Sequence, residues 1–142
     1  MGTIAEVQAQ VAVHHPPMAA QPRRILVGFD GSEGAQRALT AAAELMGYGS
    51  TLTVVSVAPS EEPATPDPLA AARGLLLDRL VQATYVRRVG DAAGELVALA
   101  DELGADLVVV GRRGHEGSRK PRPGSVSADV VRHTARDVLV VS

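Results

Sequence analysis

Asp106-Leu107-Val108-Val109-Val110-Gly111-Arg112-Arg113-Gly114, followed after nine residues by Gly124-Ser125-Val126-Ser127, is where the fold of this chain can be read. Four apolar residues in a row, three of them β-branched, form a strand buried on both faces. Glycines follow where the strand becomes a loop, and again where that loop enters a helical pattern. Such a junction favours an anion, because free backbone N–H groups and the positive end of the helix dipole meet there and glycine permits close approach. Five of the chain's 14 Lys and Arg residues, Arg112, Arg113, Arg119, Lys120 and Arg122, lie in the same segment.

Moving outward, short apolar runs alternate with helical patterns from Arg24 onward. Strands are expected at Ile25 to Phe29, Leu52 to Val57, Thr84 to Val89, Asp106 to Val110 and Val138 to Val141. Between them the spacing predicts a helix from Glu33 to Met46 with Gly47 and Gly49 as stop signals. A helix bearing Leu69, Leu76, Leu77 and Leu80 follows the Pro-rich loop from Pro59 to Pro68. A third helix runs from Ala92 to Leu103 with Leu96, Leu99 and Ala100 inward, and a last one has Val126, Val130 and Val131 on its inner face. Continuous apolar strands separated by amphipathic helices imply a parallel sheet covered on both faces, a three-layer α/β sandwich. Ligands of such sheets bind beyond the carboxyl ends of the strands, where strand order reverses. That rule selects two loops, Gly28-Phe29-Asp30-Gly31-Ser32 and the segment from Gly111.

The whole chain narrows the function. Its 142 residues suit one domain. A net charge of -2 and an aromatic content of 2% argue against a general nucleic-acid binder. The absence of cysteine excludes a disulfide framework, a thiol nucleophile and a zinc-thiolate site. No apolar stretch approaches the roughly 20 residues of a membrane helix and no signal core is visible, so a cytoplasmic protein is expected. Residues 1–22, rich in Ala, Val, Gln and Pro, read as a flexible extension ahead of a domain at 23–142. The adjacent His14 and His15 point apart in an extended tail and lack further ligands, so no metal role is assigned to them.

Neither G-x-x-x-x-G-K-[ST] nor G-x-G-x-x-G occurs after the strands. Gly28, Gly31 and Gly34, spaced by three, fit the backbone geometry of a strand-to-helix turn more readily than a ligand site. Ser32 reads as an N-cap. Asp30, at the carboxyl end of a central strand, suits hydrogen bonds from an amine or a ribose hydroxyl and equally suits the positive end of the following helix.

The segment Ile25-Leu-Val-Gly-Phe-Asp-Gly-Ser32, together with Asp106 to Gly114, nine residues and Gly124 to Ser127, resembles the universal stress protein family over nearly all of residues 23–142. Its glycine spacing is similar to that of the ATP-binding branch. The resemblance implies a Rossmann-like, adenine nucleotide alpha hydrolase-like fold: a five-stranded parallel sheet of order 3-2-1-4-5 with helices on both faces. It further implies that Gly28, Phe29 and Asp30 border adenine and ribose, that Val57 contacts the base, and that Val110, Gly111, Arg113 and Gly114 line the other side of the nucleotide. Gly124, Ser125, Val126 and Ser127 would bind the phosphates of ATP or another adenine nucleotide, with Mg2+ bridging the phosphates. The resemblance also implies a homodimer through Val138, Leu139, Val140 and Val141, an apolar edge that is otherwise a pairing liability.

Two departures from the family bear on function. Ser118-Arg119-Lys120-Pro121-Arg122-Pro123 stands where relatives carry apolar residues, and reads either as a mobile basic flap over phosphates or as a solvated loop contacting nothing. The link between the second and third strands is short, which leaves the cleft more open. His115 is within reach of a phosphate but is more simply an exposed loop residue, and Asp129 reads as a helix-dipole acid. Hydrolysis needs a base or metal-bound water in line with the phosphoryl group, and no convincing base is present. The sequence therefore favours an adenine-nucleotide-binding regulatory protein with little or no hydrolysis. An AMP or cyclic AMP module, or a nucleotide-free dimeric partner-binding protein, are its rivals.

Overall fold

In the computed structural model, residues 9–11, 23–112 and 125–142 are described. Ten elements follow one another: β1 (Ala9–Val11), β2 (Arg24–Gly28), α1 (Glu33–Glu44), β3 (Thr51–Ala58), α2 (Pro68–Asp78), β4 (Thr84–Val89), α3 (Ala92–Leu103), β5 (Leu107–Gly111), α4 (Val126–His133) and β6 (Asp137–Val141). Each helix starts on a capping side chain, which accepts from a backbone N–H of the first turn: Ser32 from Ala35, Asp67 from Leu69, Asp91 from Gly94 and Ser125 from Ala128. The end of α3 is equally local in origin, since Gly104 takes the left-handed conformation at φ 65° and its N–H closes onto Ala100 and Asp101.

The sheet runs β1-β6-β5-β2-β3-β4. Strands β2 to β6 pair in parallel, in the expected order 3-2-1-4-5. The apolar runs divide between two cores because successive strand residues face opposite sides. Ile25, Val27, Phe29, Val54, Leu107, Val109, Leu139 and Val141 pack with Ala35, Ala38, Leu39 and Ala42 of α1 and with Ala72 and Leu76 of α2. On the other face Leu26, Val55, Val108, Val110 and Val138 pack with Ala93, Leu96, Leu99 and Ala100 of α3 and with Val130 of α4.

A sixth strand stands beside these five. Residues 9–11, within the segment read from sequence as an extension, pair antiparallel with β6, Ala9 opposite Val141, Gln10 opposite Val140 and Val11 opposite Leu139. The β6 edge expected to be open therefore carries a strand of its own chain.

Two helix faces differ from expectation. Leu77 and Leu80 do not turn inward: α2 ends at Asp78, and the two are 64% and 92% exposed. Leu80 sits at φ 58°, outside the helix. In α4 only Val130 of the three valines is buried, with Val126 at 40% and Val131 at 48% exposure. Eight residues make about two turns, enough for one inward apolar position beside Ser127.

Candidate functional site

Order reverses between β2 and β5, which are neighbours in the sheet but distant in the chain. Their crossovers leave in opposite directions, opening a cleft beyond the strand ends. It is lined by Gly28, Phe29, Asp30 and Ser32, by Ala35 of α1, by Val55 and Val57 of β3, by Ala92 and Leu96 of α3, by Val110 and Gly111 of β5, and by Val126 and Ser127 of α4. The open-mouthed space measures about 560 Å3, and its exposed walls are mainly apolar.

The polar groups gather at its rim. Asp30 is exposed, and its Oδ1 accepts from the N–H of Ser32 at 2.9 Å, which holds the carboxylate at the start of α1 and leaves Oδ2 available to a ligand. Gly31, at φ 89°, makes the turn between them. Phe29 donates its N–H to the carbonyl of Val55 at 2.9 Å and lies in the α1 core, so this position offers main chain rather than ring. Opposite, α4 begins. Ser125 caps it with its Oγ 3.4 Å from the N–H of Ala128, and the buried Ser127 donates its hydroxyl to the carbonyl of Arg112 at 3.3 Å. That bond ties the first turn of α4 to the end of β5 and aims the helix N-terminus at the cleft.

One glycine is explained by packing. A Cβ on Gly111 would lie 2.6 Å from the carbonyl oxygen of Gly34 and 2.7 Å from its carbon, so the end of β5 runs directly against the first turn of α1. Gly111 thus serves the close backbone approach between β5 and α1.

Of the residues singled out from sequence, Gly28, Phe29, Asp30, Val57, Val110, Gly111, Val126 and Ser127 come together in the cleft. Ser125 lines an adjoining recess with Arg112, Ser127, Ala128, Val131, Arg132 and Val140. Arg113, Gly114, His115, the stretch Ser118 to Pro123 and Gly124 lie outside the described residues. Asp129 is half-buried and pairs with Arg132 at 2.8 Å. The sequence reading missed Ala92 and Leu96 as wall residues. Their spacing marks them as core, and only the direction of α3, which starts at the carboxyl end of β4, shows that its first turn reaches the cleft.

A family model described as the universal stress protein family matches residues 22–142. The chain belongs to that family. Among curated universal stress proteins, Rv1636 of Mycobacterium tuberculosis H37Rv is 32% identical over 145 residues, spanning 84% of this chain and 95% of that protein. A universal stress protein solved in complex with cAMP is 29% identical, with a TM-score of 0.66 over 84% of this chain and 96% of that one. UspA from Lactobacillus plantarum, 23% identical, superimposes with a TM-score of 0.69 over 87% of this chain and 99% of its own, a likeness of fold. In this universal stress protein, no helix among the described residues is long and apolar enough to cross a membrane. Among the same residues no group of three His, Cys, Asp or Glu side chains is placed to hold a metal ion.

Proposed function

We propose that this universal stress protein is an adenine-nucleotide-binding regulatory module of the stress response, with ATP as its ligand and little or no hydrolysis. One observation carries the reading: the apolar side chains of Val57, Ala92, Leu96 and Val110 line one cleft together with Asp30 and with Val126 and Ser127 of the first turn of α4. A flat base suits the apolar side chains, Oδ2 of Asp30 suits a ribose hydroxyl, and the N–H groups and hydroxyls of Ser125 to Ser127 suit phosphate oxygens. Gly124, Gly114 and Arg113 belong to the same reading through their place in the motif. Mg2+ would be held chiefly by the phosphates and water, as this ion commonly is.

Asp30 is the only ionisable side chain among the described lining residues, and one of its oxygens is engaged by Ser32. A binding role therefore accounts for the cleft better than general-base catalysis. Calorimetric titration with ATP, with and without magnesium, is expected to give saturable binding below millimolar concentration. Absence of heat at millimolar ATP would overturn the proposal.

A second ligand, cyclic AMP, is favoured by a specific observation, the complex of a 29% identical relative with cAMP. Competition between ATP and cyclic AMP for the purified protein ranks the two. Pairing of two copies through Val138, Leu139, Val140 and Val141 belongs to this reading only with residues 9–11 moved off that edge.

A further inference from the structure

The edge of β6 carries a strand from its own chain, and that strand is short. Three residues of β1 reach Leu139, Val140 and Val141. A pairing of this length is marginal by itself, since even an isolated two-stranded hairpin is barely stable in water. Residues 12–22 join β1 to the domain and include Pro16, Pro17 and Pro22. Beneath it lies an apolar strand, with Val138, Leu139 and Val141 buried and Val140 half-buried. Uncovered, such an edge presents unpaired N–H and C=O groups to any strand able to add to it.

A second copy of this chain can supply such a strand in the same sense as β1. Strand β1 runs antiparallel to β6, whereas all other neighbours in the sheet are parallel. A second copy of this chain related by a two-fold axis would bring its own β6 to this edge in the same antiparallel sense, making a closed, self-complementary pair. Both occupants use the same backbone groups of residues 139–141, so they exclude each other.

We propose that residues 9–11 act as a displaceable cover on β6 which keeps a second copy of the chain off that edge. Self-association is therefore set by release of β1. The proposal rests on strand register and is independent of which nucleotide the cleft holds.

The test uses the full chain with Ala9→Pro, Gln10→Pro and Val11→Pro together, which removes every β1 donor while leaving residues 23–142 untouched. Sedimentation equilibrium is expected to show the variant dimerising at least about tenfold more tightly than wild type, the size of one modest net interaction. Equal association of the two chains overturns the proposal. A second variant does not depend on weakening anything. The chain has no cysteine, so Gln10→Cys with Val140→Cys places one thiol at each of two paired positions. Oxidation is expected to give a cross-link within one chain and a monomer at every concentration. Cross-linking between copies, or none at all, overturns it.

Discussion

Gly111→Ala isolates a close backbone approach between β5 and α1. Gly111 lies in strand conformation within β5, so alanine is not disfavoured there by its dihedral angles. The cost is contact alone. The added carbon would meet Gly34 at 2.6 Å from O, 2.7 Å from C and 3.2 Å from Cα, all backbone atoms in the first turn of a helix whose inner residues Ala35, Ala38, Leu39 and Ala42 are fixed in the core. No rotamer can relieve it, so either α1 or the end of β5 must shift. Overpacking of this kind costs about 1 to 3 kcal/mol. For a domain of this size each kcal/mol moves Tm by about 3 °C, giving an expected fall of about 3 to 9 °C in a calorimetric scan. Gly28→Ala is the control. The atoms nearest its Cβ would belong to the Leu96 side chain, with Cδ1 at 3.1 Å and Cδ2 at 3.3 Å, farther off than the backbone of Gly34 is from a Cβ on Gly111, so the fall should be clearly smaller. Because both glycines line the cleft, a purely ligand-related role would leave the two ligand-free proteins equally stable. A Gly111→Ala Tm within about 1 °C of wild type, or a Gly28→Ala loss as large as that of Gly111→Ala, would refute the steric argument.

Leu80→Gly should stabilise the protein by about 1 kcal/mol in urea unfolding, because Leu80 is left-handed at φ 58°, is 92% exposed and has almost no packing to lose. Ser125→Ala removes the cap of α4 and is expected to lower stability by about 1 kcal/mol, with a parallel loss of ATP affinity in titration if α4 faces the phosphates. Asp30→Ala should leave Tm within about 2 °C of wild type, since the carboxylate is exposed and makes one local bond to Ser32, yet reduce ATP affinity by roughly tenfold or more through loss of a charged hydrogen-bond acceptor.

The parallel sheet was legible because strands such as β5 are apolar on both faces and each helix is capped by Ser or Asp. Ala92 to Leu103 matches from end to end, since Asp91 and Gly104 are local signals that need no tertiary contact. What sequence could not show depends on where an element stops or what lies beside it. Leu77 and Leu80 fit a helical stripe, but Leu76 already fills the inward position of the last turn and the chain leaves the helix after Asp78. Ala9-Gln10-Val11 is too short to carry a periodic signal, and its place in the sheet follows from an edge 128 to 132 residues further on. That Gly28, Asp30 and Gly111 line one cleft was legible from the glycines, Asp30 and the switch-point rule. Ala92 and Leu96 were not, because a residue that lines a cleft beside its own core has the same apolar character as one inside it.

The cleft has walls from both cores, Ala35 and Phe29 from one face of the sheet and Val55, Leu96 and Val110 from the other. No contiguous stretch of chain holds more than a fragment of it, so the unfolded polypeptide has no comparable site. On the proposed reading, a ligand held there at 100 times its dissociation constant would add about 2.7 kcal/mol to the native state. Loss of the ligand would withdraw that increment from both helical layers at once, so that the survival of the protein itself records how much ligand surrounds it.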